Sequence, residues 1–314
     1  MSIFLPLLAG AAGLVGGGAA IAAAFSARIA RQVERNVPPD GSFLTIRGRR
    51  IHVRDIGQGP PIVMIHGLAG QMRNFAAVVP LLAASHRVVL IDRPGSGHSP
   101  GRGDDSLTDQ AAIVADLIDT LGLDRPLIVG HSLGGAVSMA LALNYPDRIA
   151  GLALIAPLTQ VQEEVPAAFR GLVIEKPAVR AIIANTLAIP MMRLNSAKSR
   201  TVLFAPEPVH PAFDIDYGGA MLARPHAFYA SSSELVAVND ALAPLVARYG
   251  EIALPVRILF GEGDQILPAP VHGTRTASEV RGAQCTILPD AGHMLPVTDP
   301  ARVAAFVAEA RAAC

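Results

Sequence analysis

Apolar residues in this sequence fall into short runs that alternate with segments of helical periodicity. The continuous run Ile62–Ile65 is typical of a strand buried on both faces of a parallel sheet. A helical pattern follows it, and the same alternation repeats as far as Ile155. The predicted strands are Phe43–Arg47, Arg50–Ile56, Ile62–Ile65, Arg87–Ile91, Leu127–Val129, Ile149–Ile155, Val256–Phe260 and Ala283–Leu288. Strands that alternate with helices predict right-handed βαβ units and a mostly parallel sheet covered by helices on both faces.

The alternation is interrupted after Pro157. From Leu158 to Tyr229, prolines are frequent among short apolar helical pieces, which indicates an inserted, irregular helical segment rather than further sheet. Regular order resumes with helices predicted at Glu234–Tyr249 and, at the end of the chain, Pro300–Ala313. The sequence thus predicts four parts. Residues 1–36 form an N-terminal helix with its linker, and residues 37–157 form the first part of the core. Residues 158–229 form the inserted segment, and residues 230–314 form the second part of the core.

The N-terminus carries an uncharged apolar run, Ile3–Phe25. As a helix this run would extend roughly 34 Å, enough to cross a bilayer core of about 30 Å. Arg28, Arg31 and Arg35 follow the run, and no Lys or Arg precedes it. This asymmetry favours an uncleaved membrane anchor with the following domain on the cytoplasmic side. The alternative is a signal peptide cleaved near the small residues at 24–27, after which the protein would be exported.

Composition argues against several classes of function. The chain has 26 basic and 26 acidic residues, so no strong field of one sign would attract a nucleic acid. Its two cysteines, Cys285 and Cys314, are expected to be free thiols. No spacing of His, Cys, Asp or Glu suggests a metal site, and no glycine loop suggests a bound phosphate or dinucleotide. We therefore expect no metal, no cofactor and no nucleic-acid partner.

The segment Gly130–Gly134 matches the pattern Gly-x-Ser-x-Gly, with Ser132 at its centre. It follows the apolar run Leu127–Val129 and precedes an Ala-rich helical pattern, which is the strand–turn–helix context that this motif requires. A sharp turn there would expose the Ser132 hydroxyl above the carboxyl edge of the sheet. Ser132 is therefore the predicted nucleophile.

A serine hydroxyl is a weak nucleophile unless a base lies beside it. His293 follows the last predicted strand, and Asp264 follows the strand before it, so both are expected at the same edge of the sheet as Ser132. In this prediction His293 accepts the serine proton, and Asp264 orients the imidazole and stabilises its charged form. The chain order Ser, Asp, His is that of α/β-hydrolases and differs from the chymotrypsin and subtilisin orders.

Acyl transfer also needs N–H donors directed at the developing oxyanion. The residue after the nucleophile, Leu133, is expected to supply one backbone N–H. The loop Ile65–Leu68 follows an early buried strand, and the backbone N–H of Leu68 is the predicted second donor. His66 in that loop is expected to shape the backbone rather than to transfer protons.

Together these segments resemble the α/β-hydrolase superfamily, specifically its esterase, lipase and carbon–carbon hydrolase branch. The resemblance extends from about Phe43 to Ala313 and includes the turn Asp92–Ser99, which matches the family pattern Asp-x-x-Gly-x-Gly-x-Ser. It implies an eight-stranded, mostly parallel sheet with helices on both faces and a helical cap, residues 158–229, inserted after the sixth strand. With an N-terminal anchor, the layout is also similar to that of membrane-bound monoacylglycerol lipases. Haloalkane dehalogenases and epoxide hydrolases of this fold attack with an aspartate, whereas this chain has Ser132.

The cap composition and the predicted N-terminal anchor together predict a small-molecule or lipid ester as substrate. Apolar residues dominate the first half of the cap, namely Phe169, Leu172, Ile182, Ile183, Leu187, Ile189, Met191 and Met192. The basic exceptions are Arg170, Arg180 and Arg193, and two cap histidines, His210 and His226, are candidate substrate contacts. Because apolar lids adapt to flexible apolar ligands, we expect hydrolysis of uncharged esters with a medium or long acyl group, such as monoacylglycerols.

Three alternatives remain open from the sequence. The same serine and base would also support hydrolysis of a carbon–carbon bond or a cofactor-free perhydrolase (haloperoxidase-like) reaction. A member of this fold that binds a small molecule as a receptor, without turnover, is the third alternative. The complete set of Ser132, His293 and Asp264 argues against a receptor.

Overall fold

Eight strands form one sheet in the computed structural model, which describes the backbone of residues 4–314 and the side chains from residue 17 onward. The strands are β1 (Ser42–Ile46), β2 (Arg49–Ile56), β3 (Pro61–Ile65), β4 (Arg87–Ile91), β5 (Leu127–His131), β6 (Gly151–Ile155), β7 (Val256–Gly261) and β8 (Gln284–Leu288). Their order across the sheet is β1-β2-β4-β3-β5-β6-β7-β8. β2 is antiparallel to both β1 and β4, and the remaining neighbours are parallel. The predicted eight-stranded, mostly parallel sheet is confirmed.

Helices cover both faces of the sheet and also form most of the inserted segment, on which the first helix packs. They are α1 (Phe4–Asn36), α2 (Val79–Ala83), α3 (Leu107–Thr120), α4 (Leu133–Asn144), α5 (Pro177–Asn185), α6 (Ala188–Phe204), α7 (Pro225–Val246), α8 (Thr276–Glu279), α9 (Leu295–Thr298) and α10 (Pro300–Ala312). In β3, Val63 and Ile65 pack with α3, α4 and α7, whereas Ile62 and Met64 pack with α2 and α10. Because successive strand residues point to opposite faces, a strand buried on both sides is apolar at every position.

One helix boundary differs from the prediction. The helix expected at Glu234–Tyr249 begins at Pro225 and ends at Val246. Proline in the first turn removes no intrahelical hydrogen bond, so Pro225 opens the helix instead of preventing it. The predicted boundary between the inserted segment and the second part of the core, after residue 229, therefore lies inside α7.

The C-terminal half of α1 packs against the inserted segment. Ile29, Val33 and Val37 are buried in one cluster with Ile189 and Met221. Removing these side chains from water stabilises the contact, because each buried aliphatic or Met side chain contributes about 1.5–3 kcal/mol. The first helix and the inserted segment are thus packed together although their sequences lie far apart.

The same helix contains the run predicted to anchor the chain in a membrane. Among the residues that the structure describes, none forms a helix both long and apolar enough for a bilayer crossing. Ile3 and the side chains of residues 4–16, which belong to the predicted run, lie outside the described part. From Ser26 onward the helix contacts protein, with the Ser26 hydroxyl donating to the carbonyl of Thr186 at 3.2 Å. The predicted spanning anchor is therefore not supported.

Candidate active site

Ser132 lies at the turn between β5 and α4. Because β5 ends at His131 and α4 begins at Leu133, the turn consists of one residue. Ser132 has φ 53° and ψ −121°, a backbone conformation that residues other than glycine rarely adopt. Such strain persists only where the surroundings impose it, and here the residues of β5 on one side and of α4 on the other are buried.

Two glycines permit close packing around this turn. A Cβ atom at Gly134 would lie 2.1 Å from the carbonyl oxygen of Ile65, so a larger residue would separate α4 from the end of β3. A Cβ atom at Gly67 would lie 2.8 Å from the Cβ of Ser132. The loop that follows β3 therefore runs directly against the side chain of Ser132.

His293 and Asp264 form a buried hydrogen-bonded pair beyond the ends of β8 and β7. The Nδ1 atom of His293 lies 2.8 Å from Oδ2 of Asp264. The other carboxylate oxygen, Oδ1, accepts hydrogen bonds from the backbone N–H groups of Ile266 at 2.7 Å and Leu267 at 3.0 Å. These bonds fix the carboxylate, which in turn orients the imidazole and leaves Nε2 as its second nitrogen. His293 and Ser132 border the same cavity.

His131 supports the loop that carries His293. Its Nε2 lies 2.9 Å from the carbonyl oxygen of His293, and the two rings are 5.0 Å apart between centroids. Burial, together with the charge of a protonated His293, lowers the pKa of His131 to about 3. A neutral His131 must donate through Nε2 to this carbonyl, which ties the His293 loop to the end of β5. This role could not be predicted from the sequence, since His131 occupies the variable position of the motif.

The two predicted oxyanion donors belong to the helix and the loop that adjoin Ser132. Leu133 is the first residue of α4, so its N–H belongs to the first turn, whose N–H groups have no acceptor within the helix. Leu68 follows Gly67 in the loop that packs against Ser132. Both leucines border one small cavity, whose wall also includes Ser132. The arrangement can direct two backbone N–H groups at an oxygen bound beside the serine.

A buried arginine holds the carbonyl oxygens of this loop. The Arg93 side chain donates to the carbonyl of His66 at 3.0 Å and to that of Gly67 at 2.9 Å. The same guanidinium pairs with the carboxylate of Glu234 and donates to Oε1 of Gln110 at 2.9 Å. A buried charge needs such compensation, and every one of these partners lies in the protein interior. Arg93 thus links the candidate oxyanion loop to α3 and α7.

His66 has the structural role that the sequence suggested. Its Nε2 accepts a hydrogen bond from the backbone N–H of Arg93 at 3.0 Å, and its Nδ1 lies 2.9 Å from the carbonyl oxygen of Gly67. Burial and the neighbouring Arg93 charge lower the pKa of His66 to about 3. The ring is therefore neutral near pH 7, with its proton on Nδ1 donated to the Gly67 carbonyl.

Sequence reasoning missed the charged members of this support. Arg93 lies within the turn Asp92–Ser99, whose pattern does not specify a residue at that position. Glu234 lies 141 residues further along the chain, in a helix predicted only for its apolar pattern. The position of Glu234 could have indicated such a pair, because a carboxylate on the buried side of a helix requires a cationic or hydrogen-bonding partner.

Two cavities of different size meet at Ser132. The larger has a volume of about 520 Å³, extends under α6 and includes His293 and Met294 in its wall. The smaller has a volume of about 30 Å³ and lies between Leu133, Leu235 and Leu267. Leu68, Ser132 and Phe169 border both cavities.

The apolar residues predicted in the cap separate into three groups. Those that border the larger cavity are Phe169, Leu172, Ile183, Met191 and Met192. Ile182 and Leu187 are exposed, and Ile189 packs against α1. Of the basic exceptions, Arg170 borders the cavity and Arg193 is exposed. Arg180 is buried, where it donates to the carbonyl of Ile174 and the hydroxyl of Ser232.

The two cap histidines that were candidate substrate contacts are absent from the described walls of both cavities. The His210 ring packs edge-on against Tyr217 at 4.9 Å between centroids, and its Nδ1 accepts from the N–H of Ala212 at 3.2 Å. Burial lowers the pKa of His226 to about 4. Both histidines are therefore best explained by local structure.

Comparison with known proteins identifies the family to which the chain is similar. The model of a family described as alpha/beta hydrolase fold matches residues 60–300. An uncharacterized protein of Mycobacterium tuberculosis is 30% identical over 279 residues, which cover 87% of this chain and 81% of that protein.

Two further similarities come from named hydrolases. A 2-hydroxy-6-oxononadienedioate/2-hydroxy-6-oxononatrienedioate hydrolase of Klebsiella pneumoniae is 29% identical over 255 residues, or 79% of this chain and 85% of that protein. A thermophilic esterase from Thermogutta terrifontis superposes with a TM-score of 0.69 and 23% identity, covering 85% of this chain and 96% of the esterase. The esterase likeness, at that identity, is one of fold.

Proposed function

The chain belongs to the alpha/beta hydrolase fold family, and we propose that it is a serine hydrolase that cleaves carboxylic esters through an acyl-enzyme on Ser132. The observation that carries this proposal is the strained backbone of Ser132, in a cavity that it shares with the hydrogen-bonded pair His293–Asp264. This combination provides a nucleophile, a base and an orienting acid, which is the set that acyl transfer requires.

Acylation begins when the Ser132 oxygen attacks the ester carbonyl carbon and its proton passes to Nε2 of His293. The carbonyl oxygen becomes an oxyanion, which the N–H groups of Leu68 and Leu133 stabilise. The Asp264 carboxylate stabilises the imidazolium that forms. His293 then returns its proton to the leaving oxygen, the carbon–oxygen bond breaks, and the alcohol departs.

Deacylation repeats these steps with water as nucleophile. His293 accepts a proton from water as the water oxygen attacks the acyl carbon, and then donates this proton to the Ser132 oxygen. The acid product leaves, and the serine hydroxyl is restored. Hydrogen bonds from Arg93 to the carbonyls of His66 and Gly67 keep the Leu68 loop in place through both half-reactions.

The walls of the larger cavity support an ester with one long apolar arm. Phe228, Met192 and Leu203 are among its lining residues, and its volume of about 520 Å³ lies within the usual range for small-molecule sites. The sequence assigns this arm to a medium or long acyl group, as in a monoacylglycerol. Burial of each methylene contributes up to about 0.8 kcal/mol until the cavity is full.

Labelling and turnover test the proposed reaction. We expect a fluorophosphonate to modify Ser132 in the wild type, and p-nitrophenyl acetate to be hydrolysed with an initial burst or steady turnover. Ser132→Ala is expected to abolish both signals. Unlabelled Ser132 together with no turnover of any ester would refute the proposal.

Hydrolysis of a carbon–carbon bond is the second candidate. It is favoured by the Klebsiella relative, which is named for a dicarboxylate substrate, and by Arg170 and Lys198 at the wall of the larger cavity. A 2-hydroxy-6-oxo dienoate loses its visible absorbance on cleavage, so the two reactions are easily compared. A kcat/KM for this dienoate above that for simple esters would promote the carbon–carbon hydrolase.

A further inference from the structure

The smaller cavity at Ser132 has room for only a short group. A volume of about 30 Å³ corresponds to about two water-sized groups. Much of its wall consists of buried or half-buried apolar side chains, namely Leu133, Leu158, Leu235, Val238, Ile266 and Leu267. An acetyl or propionyl chain therefore fits, whereas a longer chain requires one of these side chains to move.

His293 distinguishes the two cavities chemically. The imidazole borders the larger cavity, and the described wall of the smaller cavity does not include it. In ester cleavage the protonated base must lie within hydrogen-bond reach of the leaving oxygen. The leaving group is consequently expected on the side of His293, in the larger cavity, and the acyl chain on the opposite side of Ser132.

Charge agrees with this assignment. The one acidic residue at the smaller cavity, Glu234, is engaged by Arg93 and Gln110, so it offers no free charge to a substrate. The described wall of the larger cavity contains the cations Arg170, Lys198 and Arg200 and no carboxylate, and Arg200 is paired with Asp214. The larger cavity thus suits an uncharged or anionic alcohol portion better than a cationic one.

We propose that the enzyme selects esters of short acids with long, apolar alcohols, with the acyl group in the smaller cavity and the alcohol beneath α6. This inference rests on the proposed ester hydrolysis and specifies its substrate class. It reverses the orientation expected from the sequence, which placed the long chain on the acyl side.

Two isomeric esters test the orientation. Hexyl acetate and ethyl hexanoate have the same formula and nearly the same hydrophobicity but exchange the long and short arms. Wild-type kcat/KM is expected to favour hexyl acetate by on the order of 100-fold, since one misplaced methylene in a closed pocket already matters by about tenfold or more. Equal rates, or a preference for ethyl hexanoate, would overturn the orientation and leave ester hydrolysis intact. If neither ester reacts and Ser132 is not labelled by a fluorophosphonate, the proposed function fails as well.

A matched pair of leucine variants sharpens the test. Leu235→Ala enlarges the smaller cavity and is expected to raise kcat/KM for ethyl hexanoate about tenfold relative to hexyl acetate. Leu222→Ala removes the same atoms from the wall of the larger cavity. It is expected to lower kcat/KM for hexyl acetate without raising kcat/KM for ethyl hexanoate. Fluorophosphonate labelling of Ser132 in each variant shows that its site is folded. An equal gain for ethyl hexanoate in both variants, or none in Leu235→Ala, contradicts the assignment.

Discussion

The edge of the sheet and the inserted segment above it are held in place by different interactions. At the edge, backbone geometry dominates: Ser132 is fixed by a one-residue turn and Asp264 by two backbone N–H groups. In the inserted segment, side chains dominate, as where Ile189 packs against Val33 or where Arg180 binds the carbonyl of Ile174. A position that is held by backbone geometry can be recognised in the sequence from nearby glycines and strand ends. A side-chain contact between distant elements has no such local sign in the sequence.

This difference leads to distinct expectations for substitutions in the two regions. Changes at the edge should abolish turnover while leaving the fold intact, because the side chains there contribute chemistry. Changes in the contacts of the inserted segment should lower stability or alter substrate choice, because its side chains contribute packing.

Ser132→Ala is expected to lower kcat for ester hydrolysis by about 10⁴–10⁶-fold, and His293→Ala by a similar factor. The decrease in kcat for Asp264→Asn is expected to be somewhat smaller. The double variant at Ser132 and His293 should be little slower than either single variant, since the pair acts as a unit. Steady-state kinetics measures these losses, with Ser278→Ala, at an exposed position of α8, as the control. Losses that multiply in the double variant would contradict the assignment.

Glu234→Gln is expected to lower the free energy of unfolding by about 3 kcal/mol, because it leaves the buried guanidinium of Arg93 without its charged partner. Activity should fall as well, since Arg93 also holds the Gly67 carbonyl. Urea denaturation measures the free energy of unfolding of each variant. Glu251→Gln breaks an exposed pair with Arg248 and is expected to leave the free energy of unfolding nearly unchanged, because solvent screens such a pair. If the two variants changed the free energy of unfolding equally, the buried pair of Arg93 and Glu234 would not be needed for stability.

Ile189→Ala is expected to destabilise the protein by about 2–3 kcal/mol, because the side chain is buried between α6 and α1. Ile182→Ala provides the matched control, since Ile182 is 66% exposed and should change stability by less than about 0.5 kcal/mol. Thermal and urea unfolding of both variants measure the difference. A chain that begins at Asn36 lacks Ile29 and Val33 and is expected to lose stability in the same way. An Ile189 variant as stable as the control would mean that α1 does not support the inserted segment.

Stability is expected to fall as the pH decreases from about 6.5 towards about 3. The pKa values of His66 and His131 in the folded protein are lowered to about 3, mainly by burial, whereas the ordinary value is 6.5. Within this interval the unfolded chain binds protons that the folded protein does not, so each such histidine contributes a slope of about 1.4 kcal/mol per pH unit. Urea denaturation between pH 7 and pH 4 measures the slope. His131→Gln should reduce this slope by one histidine's share, and an unchanged slope would contradict the assignment.

Much of the fold could be read from the sequence because its signals are local. A strand buried on both faces must be apolar at each position, as in residues 62–65, and helices between such strands imply parallel crossovers. The candidate site was also predictable as far as strand ends determine it. Ser132, Asp264 and His293 each follow a strand, and parallel strands end at one edge of the sheet.

The tertiary structure decided which distant side chains meet. Arg93 and Glu234 are 141 residues apart, and no periodicity relates them. The docking of α1 on the inserted segment, through Val33 and Ile189, depends on packing between elements that the pattern describes only one at a time. The walls of the two cavities likewise combine side chains from remote parts of the chain. Sequence determined the sheet and the residues to which the proposed chemistry is assigned, because backbone geometry is encoded locally. The structure alone determined the support of these residues and the shape of the space around them, because those depend on contacts between remote parts of the chain.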